Sequence, residues 1–94
     1  MRLVLDIGSK YAEISGRSSD SFAEDLQEAS AKDEYSELVL DMKGTKMISS
    51  MAMGTIFAVS QKLRDQGKTL QIINASDKVA NLLRMVNMSD IMQS

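Results

Sequence analysis

The feature that most constrains this chain is a strand–helix–strand unit in its second half. In "ELVLDM" (residues 37–42), Leu38, Val39 and Leu40 stand consecutively, as expected of a strand covered on both faces. "KTLQIIN" (68–74) is a second buried strand. Between them Ala52, Ile56, Val59 and Leu63 recur at helical spacing from about Ser50 to Gln66, with Gly67 at a typical helix stop. Strands joined through a helix by loops this short pair in parallel, with a right-handed crossover.

The remaining segments attach to that unit. Leu3, Leu5 and Ile7 alternate in "RLVLDI", "GSK" reads as a turn, and Ala12 and Ile14 alternate in "YAEIS". This pattern predicts a β-hairpin. Phe22, Leu26 and Ala29 then follow helical spacing, and Ser21 with Glu24 has the form of a capping box. A last helix carries Val79, Leu82, Leu83 and Val86 on one face, with Ser76 as its cap. "MSDIMQS" closes the chain and is expected to add one turn that packs Ile91 or Met92. With no proline, linker or repeat, residues 1–94 read as a single α/β domain, and 94 residues suit one modest core.

Composition removes whole classes of function. The chain has no cysteine and no histidine, so thiolate chemistry, the usual proton shuttle and the commonest metal ligand are missing. No enzyme, cofactor or metal site is expected. Asp41, with only Asp6 and Asp20 as companions, reads as a polar strand end. A net charge of -2 gives no reason to expect nucleic acid. No apolar run approaches the roughly 18 residues of a membrane span, so direct membrane insertion is not expected. The opening "MRLVLDIGSKYAEISG" does not read as a signal peptide, and the cytoplasm is the expected compartment.

What remains is "KMISSMAMGTI" (46–56), where Ser49 and Ser50 precede a dense apolar run. A serine at a helix start can cap free backbone N–H groups, worth about 1 kcal/mol. The same N–H groups and the positive dipole end would also accommodate a phosphate. On the residues alone, cap and phosphoacceptor both stay open for Ser50. Met51 lies off the apolar stripe, so burial and exposure on an adaptable binding surface are equally consistent with it. Gly54 costs its helix about 1 kcal/mol relative to alanine; close packing of the helix on the sheet is the favoured reason, with close approach of a partner second.

"LVLDMKGTKMISSMAMGTIF" resembles the motif of STAS domains, the fold of bacterial anti-sigma factor antagonists. There a buried strand leads through a short loop to an Asp-Ser-Ser-Gly-Leu-Gly motif that opens a helix. "YAEISGRSSDSFAEDLQEA" and "LRDQGKTLQIINASDKVANLLRMVNMSDIM" are similar to the flanking parts, so the resemblance covers nearly the whole chain. It implies a STAS-like mixed sheet of about four strands with helices packed mainly on one face. Ser49 stands at the family's Asp and Ser50 at its phosphorylated serine. Met51, Ala52 and Met53 replace the next three motif residues, and Gly54 matches the last. The resemblance thus implies phosphorylation at Ser50, with Ser49 the fallback, and a partner-binding surface at Lys46, Met47, Ser49, Ser50, Met51, Met53 and Gly54. The implied partners are a serine kinase that doubles as an anti-sigma factor and a PP2C-type phosphatase. The alternative is a constitutive STAS subunit of a transport assembly of the phospholipid ABC type or of a signalling assembly.

Overall fold

The structure, a computed structural model, describes residues 1–86. The turn expected at Ile91 or Met92 lies outside the described residues. The elements run β1 (Arg2–Asp6), α1 (Ile7–Lys10), β2 (Glu13–Ile14), α2 (Arg17–Ser30), β3 (Glu37–Asp41), β4 (Met47–Ile48), α3 (Ser50–Asp65), β5 (Thr69–Ile73) and α4 (Asp77–Met85).

The strand–helix–strand unit forms as its apolar pattern dictates. β3 pairs in parallel with β5, and Ala52, Ile56, Val59 and Leu63 of α3 are all buried. β1 joins the other side of β3, also in parallel, giving the order β1-β3-β5. Register aligns Leu3, Leu38 and Leu70 in one row and Leu5, Leu40 and Ile72 in another. Both rows pack into the main core with Phe22, Leu26, Ile56 and Leu63. On the opposite side of the sheet, Val39 is buried between Val4 and Gln71. Gly67 adopts φ +75 just past α3, a backbone region that glycine enters at no steric cost.

The N-terminal hairpin does not form, and the single four-stranded mixed sheet is replaced by two parallel sheets, β1-β3-β5 and β2-β4. The reason lies in "DIGSK". Asp6 accepts a hydrogen bond from the Ser9 N–H at 3.2 Å and so caps a helical turn where a reversal was expected. Gly8 in that turn lies against the 43–44 loop so closely that a Cβ would stand 1.6 Å from the Lys43 carbonyl oxygen. The chain is thereby carried across to the second sheet, where Glu13 and Ile14 meet Met47 and Ile48. Thr45, buried in the joining loop, donates its hydroxyl to the Tyr11 carbonyl at 2.7 Å.

α2 also begins earlier than the Ser21–Glu24 pattern indicates. Its first residue is Arg17, and Gly16 occupies the cap position without a side-chain bond. Ser18 instead donates to the Glu13 and Ser15 carbonyls, closing the first turn from inside. Phe22, Leu26 and Ala29 point into the core as their spacing requires. Asp25 on the outer side receives hydrogen bonds from Lys10 Nζ at 2.8 Å and Tyr11 Oη at 2.7 Å, bracing α1 against α2. In α4, Val79 and Leu83 are buried and Ser76 caps the first turn, but Val86 falls beyond the helix end and is exposed.

Candidate functional site

The paired serines sit where β4 passes into α3. Ladder bonding to β2 continues one residue past the strand: the Ser49 N–H donates to the Ile14 carbonyl at 2.7 Å. This holds Ser49 extended (φ -82, ψ 165), the backbone state of a helix cap. Its Oγ accepts the Ala52 N–H at 3.1 Å. The same oxygen shares a 2.7 Å hydrogen bond with the hydroxyl of Ser19, a residue of α2 that is only 1% exposed. The cap of α3 is therefore Ser49, not Ser50. The two residue types are equal in capping power; the β2–β4 pairing decides between them.

Ser50, relieved of the capping role, is the first residue of α3 and is exposed. No acidic residue occupies that first turn, so the positive end of the helix is uncompensated by side-chain charge there. Met51 is 58% exposed, whereas Met53 is 9% exposed and buried against the core. Lys46 is exposed, its backbone N–H donating to the Ala12 carbonyl at 2.7 Å, and Met47 is partly exposed on β4. Gly54 is also exposed, and a Cβ built on it would meet nothing within 4 Å. Close packing of the helix on the sheet is thus not what this glycine provides. Its missing side chain deepens the solvent face of α3.

That face is a shallow groove lined by Ser50, Met53, Gly54, Phe57 and Val86. The structure brings together Ser50, Met53 and Gly54 from the motif and adds two residues the sequence reading had not singled out for binding. Phe57 was legible, since it stands at i+7 from Ser50 and off the buried stripe, an aromatic side chain 53% exposed. Val86 was not, because only the packing of α4 carries it to this place. Asp41, by contrast, is a strand end held by the Lys43 N–H and the Asn74 amide, both at 3.1 Å. Among the described residues, no group of three acidic side chains is placed to hold a metal.

The comparisons with known proteins decide the family. The model of the STAS domain matches residues 11–94. The chain belongs to the STAS domain family. Among solved structures, this STAS domain is similar to the anti-sigma factor antagonist SpoIIAA in its unphosphorylated form. The likeness has a TM-score of 0.78 and covers 98% of this chain and 76% of that one at 11% identity; it shows the fold. No curated protein matches the sequence significantly. Among the described residues of the STAS domain, no helix is long and apolar enough to cross a membrane.

Proposed function

We propose that this STAS domain is a phosphorylation-switched binding module of the anti-sigma factor antagonist type, acting in transcription control in the bacterial cytoplasm. Ser50 is the phosphoacceptor in this reading, and Lys46, Met47, Ser49, Ser50, Met51, Met53 and Gly54 form the docking surface. The partner is a serine kinase that is also an anti-sigma factor, and a PP2C-type phosphatase resets the switch. The observation that carries the reading is the division of labour between the serines. Ser49 is committed to the cap and to Ser19, whereas Ser50 stands exposed at the positive helix end beside an apolar groove. The SpoIIAA likeness supports it at the level of fold.

The switch follows from charge. A phosphate adds about -1.5 to -2 charges, and a partner covering the groove would have to desolvate them, whereas a hydroxyl is cheaply accommodated. Ser50→Asp is expected to weaken kinase binding at least about tenfold, or about 1.4 kcal/mol, with Ser50→Ala close to wild type. Phosphopeptide mapping after incubation with a serine kinase of the anti-sigma factor type should find the modification on Ser50 and none on Ser49. Modification undiminished in Ser50→Ala would show the assignment to be wrong. Equal calorimetric affinities for wild type, Ser50→Asp and Ser50→Ala would move the reading to the constitutive transport subunit.

A further inference from the structure

The chain contains eight methionines and no cysteine, so thioethers are its only oxidisable sulfur. The structure sorts the described methionines sharply. Met42 and Met53 are buried, Met47 is at the margin of exposure, and Met1, Met51 and Met85 stand well out in solvent. Oxidation follows access, so among the described residues the fold offers peroxide a short choice. Met1 lies at the far end of the sheet, its carbonyl bonded by Ser36. Met85 ends α4. Met51 alone adjoins Ser50 in the first turn of α3, a turn where an acidic side chain would favour the dipole and an exposed thioether contributes nothing to the core.

Resting on the docking surface proposed above, we propose that Met51 is a peroxide-modified site, whose oxidation releases the docked partner without phosphorylation of Ser50. The oxidant is a hydroperoxide. The Met51 sulfur donates a lone pair to one peroxide oxygen, an S–O bond forms and the O–O bond breaks. The departing oxygen takes up a proton and leaves as water or an alcohol. Sulfur is oxidised by two electrons and the peroxide is reduced by two. An apolar, flexible contact becomes a polar sulfoxide, which a covering partner must desolvate. Because Met51 is exposed, the change leaves the core of the domain intact, and methionine sulfoxide reductase can reverse it.

The test uses the full chain, dilute hydrogen peroxide and peptide mass spectrometry. Met51 sulfoxide should appear while Met42 and Met53 stay reduced, with the melting temperature unchanged. The oxidised protein should bind a serine kinase of the anti-sigma factor type about tenfold more weakly, and sulfoxide reductase should restore binding. Met51→Leu, whatever its starting affinity, should lose none of it through the same treatment, although Met1 and Met85 are still oxidised. Oxidation of Met51 no faster than that of Met42 overturns the proposal. So does an equal loss of affinity in Met51→Leu. If the unoxidised chain does not bind the kinase, the kinase reading falls, and the mass spectrum still judges Met51.

Discussion

Replacing Ser49 by alanine removes two interactions with one oxygen, which makes it the sharpest probe of how α3 is held. The lost cap to the Ala52 N–H is worth about 1 kcal/mol. The larger cost falls on Ser19. Its hydroxyl is buried and bonded to Ser49 at 2.7 Å, and stranding a buried hydroxyl costs about 1–3 kcal/mol. Ser49→Ala should therefore destabilise the domain by about 2–4 kcal/mol, lowering the melting temperature by roughly 10 °C or more for a domain of this size. Ser50→Ala, one residue on and exposed, should stay within about 0.5 kcal/mol of wild type. Urea unfolding followed by circular dichroism gives both values, and an unchanged m-value shows that stability has changed and not the surface exposed on unfolding. The double variant with Ser19→Ala should cost less than the sum of the singles, since the stranded hydroxyl is gone; a coupling of about 1 kcal/mol is expected. A loss of less than about 0.5 kcal/mol in Ser49→Ala, or strict additivity in the cycle, would refute the shared-oxygen account.

Gly54→Ala should stabilise the domain by about 1 kcal/mol, because alanine is the better helix former and its methyl has open space; a lower urea midpoint would show an unseen packing role. Gly8→Ala should do the reverse and cost about 3 kcal/mol or more, as the methyl would collide with the Lys43 carbonyl; a melting curve like that of wild type would contradict the close approach. Burial pushes the Asp25 carboxyl up, but hydrogen bonds from Lys10 and Tyr11 outweigh it and hold the group below its usual range. Its folded-state pKa is thus the lower one, so its stabilising effect is complete above the unfolded value and fades as pH falls through the folded value. Asp25→Asn should flatten the acid limb of the stability–pH curve, and an unchanged limb would show that the brace does not couple to protonation.

The sequence reveals most of what periodicity controls. The apolar runs of β3 and β5 and the stripe of α3 needed no outside information, because burial on known faces selects those residue types at those intervals. The two-residue strands β2 and β4 are too short to show any period. The Gly8 turn was misread because "GSK" suits a reversal as well as a helical turn, and only the Lys43 loop lying against it excludes the first. The choice between Ser49 and Ser50 is invisible for a related reason: neighbouring serines cap equally well, and the hydrogen bond that the Ser49 N–H donates to the Ile14 carbonyl, 35 residues upstream by number (49 − 14), makes the difference. Position, in this domain, is set by partners distant along the chain.

The pairing of odd strands with odd and even with even has a consequence for how the protein is made. β1 needs β3, β2 needs β4, and β3 needs β5, so no strand pairs with its neighbour in sequence. A chain leaving the ribosome has nothing to pair with until β3 has emerged, and its first sheet stays incomplete until β5 follows. Every cleavage between β1 and β5 separates at least one strand from its mate, so neither half carries all of its own strand partners. Contacts of such long sequence separation slow folding, and the open strand edges are exposed to other chains meanwhile. Supply of the active domain would then depend on how quickly the ribosome delivers residue 73, well after the paired serines have been synthesised.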